Sequence, residues 1–389
     1  MTPGCSVAPD SLVAQVFNSA LLTDVATYLR QTVAPQAAQL DRDPVALRSA
    51  FQELGERRLL GLRVPQEWQG SGVDDLTFRA FQELVARYSG ALAFLQTQHQ
   101  SAAAIIAQSA NQVLKQEILP HLSSGQRRLG LGFSQLRRVG EPAVQALPTA
   151  GGYRISGTVP WITGYGCFQE FILGATLPSG EAVLGLVPLP PPDSEQPSDL
   201  CFSAPLPLAA MASTNTVTAT LSDWFLPQDR VIGIRPAGWI HQNDRQNVLH
   251  HGFFALGCAQ AGLDILSAAQ HADYPFITAT LNALQQELNT CRTAFYTAQA
   301  TGNTGIHQLP LRAAAIELAG RCAQAAVAVS RGAANGLDHP AQRVYREALA
   351  FTIFGQTTAV MAATLARLSR LPDTYQTERL FALPADPQS

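Results

Sequence analysis

The chain reads as an α+β protein, mostly α, in three parts. A helical domain covers residues 1–127, a β-domain built as a small barrel or sandwich covers 128–235, and a four-helix bundle covers 241–371; a tail follows at 372–389. Three observations predict this. Apolar residues recur at three- and four-residue spacing towards both ends of the chain. Between them, Pro and Gly become frequent and short runs alternate with period two. Hydrophobic residues make up 47% of the chain and charged residues only 14%, a composition that folds into cores. So little charge leaves little surface to solvate, which predicts burial of surface between subunits.

In the first third, Ser11 to Thr32, Asp43 to Glu56 and Leu76 to Ser89 show helical spacing. Pro65, Gly70 and Gly72 punctuate a loop between the second and third. Asn111 to Leu122 reads as a short helix stopped by Ser123-Ser124-Gly125. In the middle, Glu170 to Leu177, Ala182 to Leu189 and Thr216 to Leu226 read as strands, and Pro188 to Pro197 as an exposed connector. Tyr153 and Ile155 alternate with Arg154 and Ser156; Ser156-Gly157 breaks the pattern and a second short strand runs into Trp161-Ile162-Thr163, a hairpin. The last part holds four Ala- and Leu-rich segments, Asn243 to His271, Thr278 to Ala300, Leu311 to Ala334 and Gln342 to Leu368. Gly302, Gly305, Gly336 and Pro340 fall between them, and a four-helix bundle follows.

Bulk features exclude several classes. A net charge of -3 and no basic cluster beyond Arg127-Arg128 and Arg137-Arg138 give nucleic acid no footprint. Met1 to Asp10 holds no Lys or Arg, so no secretory signal is expected. Gly252 to Leu266 is too short to cross a bilayer and contains Asp264, so no membrane partner is expected. The six cysteines (Cys5, Cys167, Cys201, Cys258, Cys291, Cys322) form no C-x-x-C pair, which argues against zinc and disulfides and for a cytoplasmic setting.

Trp161 and Thr163 put an indole and a hydroxyl one residue apart at a strand end. A flat heteroaromatic ligand needs such a wall and such a donor. The same pair also suits a core Trp beside a turn Thr.

This segment resembles the flavin-contacting G-x-K-x-W-I-T-N pattern of the acyl-CoA dehydrogenase family: Gly157, Trp161, Ile162 and Thr163 match, while Val159 and Gly164 replace the Lys and the Asn. The loop from Leu59 to Asp74 resembles the family's L-G-L-x-V-P-x-E-x-G-G-x-G-x-D, and Met211 to Gly233 resembles the end of its β-domain. The order of helical domain, β-domain and bundle is the family's architecture, so the resemblance spans roughly Val33 to Leu371. It implies an FAD-dependent oxidoreductase of fatty acid metabolism that α,β-dehydrogenates an acyl-CoA or acyl-carrier-protein thioester. It further implies an electron-transfer partner and a homodimer or homotetramer. By resemblance, Trp161 lies against the isoalloxazine and Thr163 near its N5 edge. Ser134 stands where the family has a flavin-contacting hydroxyl, Arg331 offers a cation to the pyrophosphate, and Thr357 keeps a hydroxyl of the family's E-G-T triplet. Arg137 or Arg138 faces a phosphate or a solvated turn.

The catalytic carboxylate is missing. The family places its Glu in one of two positions, which here are Gly355, in the loop before the last helix, and Asn247, early on the first bundle helix. Neither takes a proton. His250 and His251 follow Asn247 by three and four residues, so on a continuous helix one shares its face and serves as base. A packed or surface His is the ordinary alternative. Glu347 is assigned to a salt bridge. Two other readings fit the loss of the Glu: a flavin monooxygenase on the same fold, which needs no α-proton base, and a catalytically inactive flavin- or acyl-binding member.

Overall fold

The computed structural model describes residues 9–195 and 197–370, so the expected tail and Cys5 lie outside the described residues. Seven helices come first: α1 Pro9–Phe17, α2 Ala20–Tyr28, α3 Ala37–Leu40, α4 Pro44–Glu56, α5 Asp75–Tyr88, α6 Gly90–Ala107 and α7 Gln112–Ile118. Eight strands follow: β1 Leu129–Gly132, β2 Val144–Thr149, β3 Gly152–Ile162, β4 Glu170–Thr176, β5 Ala182–Pro188, β6 Leu200–Phe202, β7 Val217–Pro227 and β8 Val231–Arg235. Six more helices complete the described chain: α8 Trp239–Gln246, α9 Gly252–Ala268, α10 Pro275–Ala300, α11 Leu309–Ser330, α12 Pro340–Ile353 and α13 Thr358–Leu368. The residues group into two compact units. Of the described residues, one comprises those in 39–74 and 91–243 and holds the sheet; the other comprises those in 9–38, 75–90 and 244–370 and holds the long helices.

In the sheet unit all eight strands join one mixed sheet, ordered β6-β7-β3-β2-β4-β5-β8, with β1 parallel to β4 off this path. Most neighbours are antiparallel, as short connections require. The hairpin expected within 152–163 is instead one continuous strand, β3. Gly157 is a bulge in it at φ 132°, and a Cβ there would overlap the Ala143 carbonyl, so only glycine fits. The true hairpin partner of β3 is β2, with Val144 opposite Gly157.

Helix α6 is absent from the sequence expectations. Its Ala102, Ala103 and Ile106 join Leu114 and Ile118 of α7 against Leu129, Ile172, Leu184, Leu186 and Ile232 of the sheet. Each large side chain so buried contributes ~1.5–3 kcal/mol. His99 of α6 is fully buried. Its Nε2 donates to the Leu122 carbonyl at 3.1 Å and its Nδ1 accepts from the Leu129 N–H at 3.2 Å, which fixes the neutral tautomer. Burial pulls its pKa down to about 4.

In the helical unit α9 packs on α5, α10, α11 and α12. Two of the four expected helices are broken. The segment expected as Asn243 to His271 is α8 and α9, interrupted at 247–251, where the Thr304 hydroxyl donates to the Gln246 carbonyl and Val248 N–H donates to Thr304. The segment expected as Gln342 to Leu368 is α12 and α13, interrupted at 354–357; Thr357 caps α13 by accepting from Val360 N–H at 3.2 Å. Glu347 is fully buried and accepts from Arg343 at 2.6–2.7 Å and from the Gly90 N–H at 2.9 Å, the salt bridge assigned to it.

Candidate functional site

The singled-out residues fall into two groups, one in each unit. In the sheet unit, β3 ends at Ile162 and carries Trp161, which is 50% exposed, an unusual setting for so large a residue. Thr163 follows, buried, its hydroxyl 3.0 Å from that of Thr216. The backbone behind it is pinned: Gly164 N–H donates to Thr214, and buried Asp41 accepts from Met211 N–H at 2.7 Å. Ser134 opens a short 3-10 turn, residues 134–137, that packs against β3. Its Oγ is shielded from water and has no hydrogen-bond partner. A buried hydroxyl left unsatisfied is costly unless something else completes it.

In the helical unit the i, i+3 and i, i+4 argument for Asn247, His250 and His251 fails, because residues 247–251 are turn and not helix. His251 is instead the residue that precedes α9, with helix-compatible φ of -79° and no side-chain cap. What the structure does bring together is His251 and Gly355. A Cβ built on Gly355 would overlap the His251 ring, its nearest atom being Nδ1, and Gly355 sits at φ 60°. The imidazole thus fills the space that a side chain at 355 would take. Its other neighbours are aromatic: Phe254 lies 6.2 Å away and stacks on Phe351 at 5.6 Å, and Phe354 closes edge-on against both.

Arg331 ends α11 at φ 53° and ψ -144°, a conformation that strains any non-glycine residue, and its guanidinium stacks 5.6 Å over the Tyr274 ring. This joins the 331–335 turn that follows α11 to the start of α10. Thr357 spends its oxygen on the α13 cap and retains its hydroxyl proton for a second partner.

Sequence reasoning missed Arg312. It lies on α11 among Leu309, Ala313 and Ile316, at the core-facing spacing, and is 1% exposed. Its Nη2 donates to the Phe354 carbonyl at 2.9 Å, one residue before Gly355. The missed signal is a charge at an apolar-periodic position. Thiolate chemistry is disfavoured: burial pushes the Cys167 thiol up to about 11 and those of Cys291 and Cys322 to about 12. Among the described residues, no group of three His, Cys, Asp or Glu could hold a metal ion. No single described helix is long and apolar enough to cross a membrane; one bent pair, 11–17 with 20–40, passes by length and composition.

Comparison with known proteins places this arrangement. Residues 18–126 match the family described as "Acyl-CoA dehydrogenase, N-terminal domain". The short-chain specific acyl-CoA dehydrogenase of Rattus norvegicus mitochondria is 23% identical over 90% of this chain and 91% of its own. Among solved structures, glutaryl-CoA dehydrogenase from Mycobacterium smegmatis superimposes with a TM-score of 0.76 at 17% identity, covering 94% of this chain and 98% of that one. The electron transferring flavoprotein structure from Acidaminococcus fermentans gives 0.73 at 16% identity over 94% and 99%. The helical, β and helical order, the residues at 157–163 and these matches agree: residues 18–126 match the family's N-terminal domain, and the chain is similar to acyl-CoA dehydrogenases along most of its length.

Proposed function

We propose that this chain is a flavin-dependent oxidoreductase that introduces an α,β double bond into an acyl thioester, with His251 as the proton acceptor. The observation that carries the proposal is the imidazole filling the space beside Gly355. By resemblance that space belongs to the carboxylate. A neutral imidazole is a competent general base, and the half-buried, aromatic setting of His251 limits competing water. His250 lies in the same turn, and the atoms nearest the Gly355 position are those of His251.

The residues present fit FAD. Trp161 offers a flat, uncovered ring, Ser134 an unsatisfied hydroxyl on a turn packed against the same strand, and Thr163 a hydroxyl held in place by Thr216. We assign these three to hold the isoalloxazine. Arg331 and Thr357 keep the roles that the resemblance gives them, a cation for a pyrophosphate and a hydroxyl donor. Bound FAD supplies the acceptor for the hydride that leaves the β-carbon. His251 takes the α-proton at Nδ1, and the Phe254–Phe351–Phe354 cluster orients its ring. The thioester carrier is CoA or an acyl-carrier protein, and an electron-transfer partner reoxidises the flavin.

A homodimer or homotetramer is proposed on one further observation. Tyr345, Leu349 and Ile353 form an i, i+4, i+8 stripe on α12 exposed by 50–61%, and Met361, Leu365 and Leu368 lie 44–60% exposed on α13. Exposed apolar patches of this kind mark contact surfaces. Light scattering at micromolar concentration is expected to exceed the monomer mass.

The enzyme reading is tested by spectra. Purified protein is expected to be yellow and to bleach anaerobically with an acyl-CoA. His251→Ala is expected to slow that bleaching by ~10²–10⁴-fold, the usual cost of losing a general base, whereas His250→Ala matches wild type. A flavin reduced only by an added reductase, with oxygen uptake, would overturn the dehydrogenase. Rapid bleaching in both His variants would overturn the base.

A further inference from the structure

Arg312 is buried on α11, and no carboxylate contributes to its titration; burial alone pulls it down to about 9, so it stays charged at neutral pH. A cation buried without a counter-charge works against stability, and an apolar side chain of similar volume would pack there at lower cost. What the guanidinium holds is backbone. Its Nη2 donates to the Phe354 carbonyl at 2.9 Å. Phe354 ends α12 in an extended conformation, φ -67° and ψ 126°, so its carbonyl has left the helix ladder and needs an outside donor. The next residue is Gly355, the position that the His251 ring covers. The other arm, Nη1, stands 3.2 Å from where a Cβ on Gly252 would be, and Gly252 follows His251 directly. The Gly252 N–H already donates to the Leu249 carbonyl at 2.7 Å, and the Phe295 ring fills the space beside the guanidinium, edge-on to Phe253. The guanidinium is thus packed and not open to a ligand. One buried side chain bonds to the 354–357 break and packs beside the residue that closes the 247–251 break.

We propose that Arg312 is a positioning residue for the base: it fixes the 354–357 break against the start of α9, so that the His251 imidazole stays in the space beside Gly355. The proposal rests on the reading of His251 as proton acceptor given above. Gly355 has no side chain to hold its own place and sits at φ 60°, so its segment draws its position from what grips it. Arg312 grips one end at Phe354, and the Thr357 cap holds the other. Phe354 also closes edge-on against Phe254, and Phe254 packs on the His251 ring. Losing the bond to the Phe354 carbonyl therefore loosens both the floor under the imidazole and the aromatic wall beside it. A shift of ~1 Å in a reacting group costs ~10²-fold in rate.

The experiment compares wild type, Arg312→Met and Arg312→Lys as full-length holoprotein, each with and without His251→Ala. The reductants are butanoyl-CoA and its α-deuterated form, under anaerobic conditions. Arg312→Met keeps the volume and removes the charge. It is expected to lower kcat for flavin reduction ~10–10²-fold while KM stays within about twofold of wild type. Its α-deuterium isotope effect is expected to rise, because proton removal slows relative to the other steps. Arg312→Lys, which keeps a charged donor, is expected to recover part of the rate. In the His251→Ala background Arg312→Met is expected to have no further effect, since the group it positions is gone. An equal loss with and without His251 overturns the proposal, as does a lowered Tm with kcat and the isotope effect unchanged. A second readout needs no turnover. In protein labelled with carbon-13 at histidine Cε1, Arg312→Met is expected to shift the His251 signal and leave that of His99 in place; an unmoved His251 signal overturns the proposal. If Arg312→Met does not fold, Arg312→Lys decides the same comparisons. Should His251→Ala reduce its flavin as fast as wild type, the base reading fails by itself, and the histidine signal still tests whether Arg312 holds the ring.

Discussion

His99 in the sheet unit and Arg312 in the helical unit pose the same physical problem and solve it differently. Both are basic side chains fully buried with no carboxylate beside them. His99 gives up its charge, and both ring nitrogens have backbone partners. Arg312 cannot deprotonate in the working pH range and leaves one arm of its fork unbonded. Burial therefore does not distinguish a structural group from a functional one. Completeness of hydrogen bonding differs: His99 has both ring nitrogens bonded, whereas Arg312 leaves Nη1 without a partner.

Glu347 sharpens this comparison most. It is buried like the other two but is paired with Arg343 and bonded to Gly90 N–H. Glu347→Ala strands the Arg343 charge and is expected to lower the unfolding free energy by ~3–5 kcal/mol, read from urea melts. A loss near that of a surface pair would mean that paired and unpaired burial weigh alike here.

His99 supplies the next largest effect. Its folded pKa of about 4 lies below the ordinary 6.5, so the unfolded chain binds the proton first as pH falls. Its contribution is whole above pH ~6.5 and drains away towards pH 4, by about 3 kcal/mol in all. Urea unfolding at pH 7.5, 5.5 and 4.5 measures it, and His99→Gln is expected to flatten that part of the slope. An unchanged slope in the variant would show that His99 is not the closed group its bonds suggest.

The smallest effect lies at Gly355. Gly355→Glu places a side chain at φ 60° and costs ~1–2 kcal/mol in backbone strain before any collision with His251. We expect this single change to destabilise the protein without speeding flavin reduction. Combined with His251→Gly, which clears the space, it is expected to restore reduction above that of His251→Gly alone. Rescue by the single change would mean that the imidazole does not hold that space.

The three-part chain order and most strands were legible because alternation and turn residues mark them directly: Glu170–Thr176 and Ala182–Pro188 begin where their patterns begin. Helix α6 was not, because it is buried on nearly all sides and so lacks a polar face to set a period. The breaks at 247–251 and 354–357 were hidden for a different reason. Good helix formers flank both, and what ends the helices is tertiary, Thr304 at the first and the His251–Gly355 contact at the second. Trp161, Thr163 and Ser134, the proposed flavin contacts, come from a resemblance to the family's local patterns. Arg312 was passed over because a lone Arg in an Ala-rich helix reads as a solvated charge, although its spacing with Leu309, Ala313 and Ile316 pointed inward.

The overlap between positions 251 and 355 has an evolutionary consequence. Two side chains cannot share one volume, so the proposed proton acceptor can sit on one side of this gap or on the other, never on both. A lineage that changes sides must pass through an intermediate with the gap empty and the enzyme slow, or through both substitutions together. Relatives with a bulky residue at the equivalent of 355 should carry a small one, or a displaced backbone, at the equivalent of 251. That mutual exclusion would appear in an alignment as paired replacement at two positions more than a hundred residues apart.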